Sequence, residues 1–219
     1  MIRTTRIVNI KGVPMVIYDE PECISDDIVK YKDFWEFELF NKWKEYFPED
    51  GLMIDIGANI GSHCLQFKHH FPELSIWAFE LHEQNSQLLK ANVKAYKDVH
   101  AFNVGIGSRT SVVSFNDGHI GNSGVVRMDA NGMHKNVMIA LDDLLDCDEM
   151  TKHISFIKLD VEGHELSALE GMKKTLLKYK PLIWVEDLTN SVAINYLSNL
   201  GYTILQKETS TSDYLMKKI

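Results

Sequence analysis

Apolar positions recur at two spacings along the chain. Short runs rich in Val, Ile, Leu and aromatic residues, at 52–56 (LMIDI), 75–80 (SIWAFE), 99–104 (VHAFNV), 154–159 (ISFIKL), 182–186 (LIWVE), 202–206 (YTILQ) and 213–217 (DYLMK), have the length of strands. Helical spacing separates most of the first six. Residues 62–71 stop at Pro72, and 83–96 carry Leu88 and Leu89. Residues 165–179 stack Leu166, Leu169, Leu176 and Leu177 on one side, and 191–200 follow Asn190 as a cap and stop at Gly201. Strands alternating with helices predict right-handed crossovers and a doubly wound α/β sheet with helices on both faces. Only 207–212 joins the last two runs, too short for a helical crossover, so they pair antiparallel. The expectation is a seven-stranded, mostly parallel sheet with an antiparallel last strand.

Two regions depart from that rhythm. Residues 7–18 (IVNIKGVPMVIY) predict a hairpin turning at Lys11-Gly12, and 32–47 predict an amphipathic helix ended near Pro48. Its aromatic positions, Phe34, Trp35, Phe37, Phe40 and Trp43, read as packing. The interval 105–153 holds SVVSF (111–115), the polar stretch NDGHIGNSG (116–124), VVRM (125–128) and NVMIAL (136–141), and predicts an inserted β-ribbon or lid at the sheet's carboxyl edge. The chain reads as one domain, 1–219: a hairpin and helix in 1–50, then a core in 51–219 with the insertion at about 105–153.

Charge and cysteine usage narrow the partners. The 219 residues carry 23 basic and 31 acidic side chains, a net charge of −8, which gives no general attraction for a nucleic-acid backbone. Cys23, Cys64 and Cys147 form no CxxC pair, which fits a reducing compartment. No apolar block of signal-peptide length follows Met1, and no run reaches about 18 apolar residues, so a cytoplasmic protein without a membrane span is expected.

The candidate chemistry starts at 53–61 (MIDIGANIG), between the first core strand and its helix. Glycines at 57 and 61 let the backbone turn and approach a ligand. Glu80 ends the second core strand, where an acid can accept hydrogen bonds from both ribose hydroxyls of an adenosine. A dinucleotide pyrophosphate needs a glycine where Asn59 stands. S-adenosylmethionine, which has no phosphate and whose ammonium suits Asp55, fits better.

Together with AFE (78–80) and IKLDVEGHE (157–165), that loop resembles the FkbM family of S-adenosylmethionine-dependent methyltransferases. The resemblance runs over about 33–187 and takes in Trp35-Glu36, NVGIG (103–107), ALDDLL (140–145) and LEG (169–171). It implies a class I methyltransferase (Rossmann-like) fold and O-methylation of a hydroxyl, often on a sugar or polyketide. It also implies that Asp55, Gly57, Asn59 and Gly61 cradle the methionine tail and ribose, and that Glu80 holds the ribose hydroxyls. Leu81 would lie against adenine, Asn103 and Val104 would flank its edge, and Trp35 would line the acceptor opening. Leu81-His82 departs from the Pro that usually follows the acid in this family.

An aliphatic hydroxyl attacking a methyl sulfonium needs in-line alignment and a general base, the base typically worth about 10²–10⁴-fold, or a metal. Asp160 and Glu162 are the candidate bases, with His164 orienting substrate and Glu165 starting a helix. Asp160, Glu186 and Asp187 are a candidate Mg²⁺ or Mn²⁺ set through hard oxygens; alternatively Glu186 accepts substrate hydrogen bonds. Lys68-His69-His70 reads as positive charge at a helix end. DVEG stands where amino methyltransferases carry (N/D)PP(Y/F), and no proline precedes a cysteine as cytosine C5 enzymes require. The favoured reading is an O-methyltransferase acting on a sugar or glycoconjugate hydroxyl. The alternatives are a polyketide or other small-molecule hydroxyl, a NAD(P)-dependent oxidoreductase or epimerase, and a non-catalytic binding module.

Overall fold

The computed structural model describes residues 3–119, 121–146 and 153–219. The chain opens with the expected hairpin, β1 (Thr5–Ile10) and β2 (Val13–Tyr18), turning through left-handed Lys11 and Gly12. Two helices follow, α1 (Cys23–Tyr31) and α2 (Phe37–Trp43), the second continued by a 3-10 turn over Lys44–Tyr46. The single helix expected over 32–47 is therefore shorter, and α1 was not expected. Lys32 ends α1 and Glu36 opens α2, both left-handed, so no helix runs through them. The Glu22 carboxylate starts α1 by accepting from Ser25 N at 2.8 Å.

The core then alternates: β3 (Leu52–Ile56), α3 (Ser62–His70), β4 (Ser75–Phe79), α4 (Glu83–Val93) and β5 (Val99–Phe102). The insertion supplies β6 (Gly105–Ile106), β7 (Ser111–His119), β8 (Asn122–Met128), β9 (His134–Ile139) and α5 (Leu141–Asp146). The chain returns through β10 (Ile154–Leu159), α6 (Glu165–Glu170), α7 (Lys173–Tyr179), β11 (Leu182–Glu186), α8 (Val192–Asn199), β12 (Tyr202–Glu208) and β13 (Asp213–Lys218). Cys147 lies outside the described residues.

Seven strands form one sheet in the order β12-β13-β11-β10-β3-β4-β5. Every neighbouring pair is parallel except those made by β13, which runs antiparallel to β11 and β12. Helices cover both faces. Phe40 and Trp43 of α2, Phe67 of α3 and Leu89 of α4 pack on one face; Ala168, Leu169, Leu176, Ala193 and Leu197 of α6–α8 pack on the other. This is the expected class I methyltransferase-like sheet. Among the described residues no helix is long and apolar enough to cross a membrane.

Two expected segments are divided differently. The helix over 165–179 breaks at Gly171, where a Cβ would stand 1.9 Å from the Gly107 carbonyl oxygen. Asp142 then caps α7, accepting from the backbone N–H of Lys174 and Thr175 at 2.8 and 2.9 Å. The polar stretch 116–124 is mostly strand: β7 and β8 pair Asn116 with Arg127, Asp117 with Val126 and His119 with Asn122. A two-sided ribbon tolerates polar residues that a core strand would not. The insertion forms its own sheet, ordered β6-β9-β7-β8.

Candidate active site

A cleft opens at the carboxyl ends of β3, β4, β10 and β11, roofed by β8 and β9 of the insertion. The loop after β3 forms its floor. Gly57 is left-handed (φ 86°), and a Cβ on it would stand 1.8 Å from the Asp160 carbonyl oxygen, so only glycine lets the β3 and β10 loops touch. Asn59, also left-handed, donates its backbone N–H to Glu80 Oε2 at 2.9 Å, and His82 N donates to Oε1 at 2.7 Å. Both Glu80 oxygens are thereby aimed, and each keeps acceptor capacity for a hydroxyl. Burial pushes this carboxyl up to about 7 against those stabilising bonds.

The roof is tied to α1 and α4 by polar contacts. The Glu22 carboxylate accepts from Ser123 N and Oγ at 3.1 and 3.0 Å, Asn85 Nδ2 donates to Ser123 O at 2.7 Å, and Cys23 N donates to Gly121 O at 2.8 Å. Asn122, Gly124, Val126 and Met128 of the hairpin thus reach the cleft. Of the expected β-ribbon or lid, the β-ribbon is present at the carboxyl edge, with α1 as its anchor.

Of the residues expected to bind cofactor, Gly57, Asn59, Glu80 and Leu81 line the cleft, and Asp55, Gly61, Asn103 and Val104 do not. Gly61 caps α3 in a left-handed turn. Asn103 positions the loop, donating Nδ2 to the carbonyls of Glu80 and Leu81 at 2.9 and 3.2 Å, and Val104 packs on the α6–α8 side of the core. Asp55 is fully buried, with Oδ2 accepting from the Cys64 thiol at 3.3 Å and Oδ1 without a hydrogen-bond partner. Its strand partner is Lys158, and the two attract; the cation near Asp55 is internal to the protein.

Lys158 organises the end of the cleft at β10 and β11. It is 2% exposed on β10, with Nζ donating to Asp160 Oδ2 at 2.8 Å and lying 5.5 Å from the Trp184 ring centroid. Burial alone would lower its pKa, but Asp160, Glu36 and Asp55 outweigh that and hold it above the ordinary lysine value. Burial likewise opposes ionisation of Asp160, and the Lys158 ammonium overcomes it, holding that carboxyl below its usual value. Glu186, at the end of β11, is pushed up to about 10 by burial, by the Asp160 charge and by their shared hydrogen bond. At neutral pH one carboxyl of this pair is ionised and the other carries the proton. Glu162 is raised to about 7 by burial and by Asp160 and Glu165.

Three wall residues escaped the sequence reading of the site. Glu36, raised to about 7 mainly by burial, lies 3.2 Å through Oε2 from His63 Nε2. Burial and Lys158 lower His63 to about 3, so its ring is neutral. Lys158 is the third, and its signal was present: a lysine inside an otherwise apolar strand (ISFIKL). His164 lines the cleft, as does Trp35. Glu165 accepts from Gly163 N at 2.8 Å and starts α6 as expected.

The candidate metal set does not assemble. Asp187 does not line the cleft: Oδ1 accepts from Thr189 N and Oγ1 at 2.9 and 2.8 Å and Oδ2 from Ile194 N at 3.1 Å, so it caps α8 in place of the expected Asn190. Asp160, Glu162 and Glu186 do bring oxygens within 4.8 Å of one another. A dication on Asp160 would, however, compete with a buried ammonium already at 2.8 Å. The three residues therefore fit Mg²⁺ or Mn²⁺ poorly.

Relatives agree with this architecture. The FkbM methyltransferase from Methylobacillus flagellatus KT superposes with a TM-score of 0.56 at 22% identity, covering 78% of this chain and 44% of that one. A precorrin-6y C5,15-methyltransferase from Geobacter metallireducens GS-15 superposes at 0.50 and 13% identity, covering 84% and 87%. In sequence, hexuronic acid methyltransferase AglP of Haloferax volcanii is 30% identical over 129 residues, 58% of this chain and 52% of that protein. Methyltransferase sdnD of Sordaria araneosa is 25% identical over 202 residues, 72% and 78%. The match thus spans about half the length of the archaeal relative. The family model for the methyltransferase FkbM domain matches residues 55–204, from the buried aspartate of β3 to the start of β12. A match over that much of the 219 residues makes this chain a member of the FkbM family of methyltransferases.

Proposed function

We propose that this chain is an S-adenosylmethionine-dependent O-methyltransferase whose acceptor is a hydroxyl of a sugar or glycoconjugate. The observation that carries the reading is the carboxyl group of Glu162, raised to about 7 and facing the cleft beside the ionised Asp160. A base poised near neutrality takes a hydroxyl proton most effectively.

The cleft suits the donor on charge and shape. Glu80, Asp160 and Glu162 make the wall acidic, which favours a sulfonium and disfavours a pyrophosphate. Gly57 and Asn59 would border the donor and Glu80 would accept from its ribose hydroxyls. The bound donor supplies an electrophilic methyl group. Glu162 removes the acceptor hydroxyl proton as the new oxygen–carbon bond forms and the carbon–sulfur bond breaks. Asp160, kept ionised by Lys158, offers the acceptor's hydroxyls an acceptor site, and Glu186, whose proton is held on Asp160, keeps its carbonyl oxygen as a second. Trp35, Glu36 and His63 close the acceptor side, and the insertion keeps bulk water out.

Carboxyl groups match the hydroxyl donors of a sugar, and the archaeal relative's substrate is a hexuronic acid. Here the acidic wall favours a neutral sugar over a uronate. The apolar roof residues Val126, Met128 and Met138 keep a polyketide hydroxyl as the second reading. The test is transfer of labelled methyl from S-adenosylmethionine to a panel of neutral glycosides, uronic acids and macrocyclic alcohols. Methyl ethers on neutral glycosides are expected. Transfer to nitrogen or carbon only, or protection from heat by NAD in place of S-adenosylmethionine, overturns the reading.

A further inference from the structure

Outside the cleft, the inserted sheet and the loop after β4 meet at three side chains whose polar atoms converge. His82 Nε2 lies 3.0 Å from Asp117 Oδ1, and His134 Nε2 lies 3.2 Å from the same oxygen. The three candidate ligand atoms fall within 4.8 Å of one another. The sheet builds part of this arrangement: Phe115 and Asp117 share one face of β7, and Phe115 is the register partner of His134 on β9. Phe115 stacks on the His134 ring with centroids 5.3 Å apart and meets His82 edge-on at 6.0 Å, so packing holds both imidazoles.

Hydrogen bonding accounts for only half of the cluster. His82 bonds Asp117, whereas His134 Nε2 is buried and has no hydrogen-bond partner despite its closeness to that oxygen. A tetrahedral ion with nitrogen and oxygen ligands at about 2.0–2.1 Å keeps those atoms about 3.3 Å apart, near both separations seen here. We infer that His82, Asp117 and His134 hold a divalent transition metal of the zinc class, completed by solvent, that clamps the inserted sheet to the loop carrying Glu80. Two imidazoles and one carboxylate suit zinc, cobalt or nickel and not magnesium or calcium.

The clamp reaches the cleft through backbone and neighbours. His82 N donates to Glu80 Oε1 at 2.7 Å, and Asn136 Nδ2, two residues beyond His134, donates to Leu81 O at 2.7 Å. None of the three ligands lines the cleft, so the ion is structural and takes no part in methyl transfer.

The test titrates the metal-stripped full chain with Co²⁺, followed by visible absorption, and then displaces it with Zn²⁺. One equivalent is expected, with the intense absorption of a four- or five-coordinate cobalt site and a rise in Tm. Asp117→Asn and His134→Gln are each expected to weaken binding by at least about tenfold. The Asp117 side chain is 60% exposed, so its variant folds. Glu162→Gln keeps full affinity, which separates this site from the acidic cluster after β10. Absence of stoichiometric binding by a chain with an intact circular dichroism spectrum overturns the inference. So does affinity unchanged in both ligand variants, or lost with Glu162→Gln.

Discussion

Lys158 Nζ and Asp160 Oδ2 stand 2.8 Å apart where β10 runs out into the cleft, one residue on a fully buried strand position and the other at the cleft surface. Besides burial, this pair tunes the charge state of Glu36, Glu162 and Glu186 beside it. Replacing Lys158 with Met leaves Asp160 without its ammonium and held only by the Glu186 hydrogen bond, and removing one member of a buried pair costs about 3 kcal/mol or more. Lys158→Met is therefore expected to lower Tm by several degrees and to move the acid limb of the kcat/KM profile to higher pH. An unchanged limb would show that Lys158 does not govern the base.

Glu162→Gln tests the base directly. It is expected to lower kcat by about 10²–10⁴-fold with little change in affinity for S-adenosylmethionine. The wild-type rate is expected to rise with pH through about 7 as this carboxyl ionises. Asp160→Asn removes a charge that raises the Glu162 pKa, so its acid limb is expected at lower pH, the direction opposite to Lys158→Met. Steady-state profiles of the three variants check the sign.

Glu80 carries the donor-binding prediction. Its carboxyl is raised to about 7, and the ionised form is the better acceptor for two hydroxyls, so affinity for S-adenosylmethionine is expected to rise as pH passes from 6 to 8. Glu80→Gln should flatten that dependence and weaken binding about 10–100-fold, the worth of one to two charged hydrogen bonds. Calorimetric titration at two pH values measures both. Equal affinity in the variant would sink the assignment.

Stability should depend on pH in a direction unlike that of most acidic proteins. Glu36, Glu80, Glu162 and Asp213 sit at about 7 and Glu186 at about 10, all above their unfolded values, so the folded chain holds protons the unfolded chain releases. Stability from such groups is fully present below their unfolded pKa and lost as pH rises through the folded one. Asp160 works the other way, contributing above its unfolded value and losing that as pH falls. Burial holds His63, His70, His82 and His164 below their unfolded value, which favours the higher pH. The five carboxyls outweigh them and give a higher Tm for the ligand-free chain at about pH 5.5 than at about pH 8.5. Glu186→Gln is expected to reduce the difference, as read by thermal denaturation in matched buffers.

The core sheet was legible because burial on both faces imposes a pattern that survives in one dimension. The runs 52–56, 154–159 and 182–186 are strands with those bounds, since each is predominantly apolar and of strand length. Helix limits were less legible. The left-handed turns at Lys32 and Glu36 have no glycine to mark them, and the break at Gly171 exists because the chain near Gly107 presses on it. The strand character of 116–124 was hidden for a related reason: a two-faced polar ribbon has no apolar alternation to read.

Sequence alone determined that the loops after the parallel strands share one carboxyl edge, because right-handed crossovers point those strands the same way, and Gly57, Glu80, Asp160, Glu162 and Glu186 lie in one cleft at that edge. Tertiary structure alone decided what each acid does there. Asp55 faces an internal lysine, Asp187 caps a helix, and Glu186 keeps a proton that Asp160 has lost. The reason is that a carboxyl group's charge depends on burial and on neighbours a few ångströms away, and those neighbours come from strands distant in the chain.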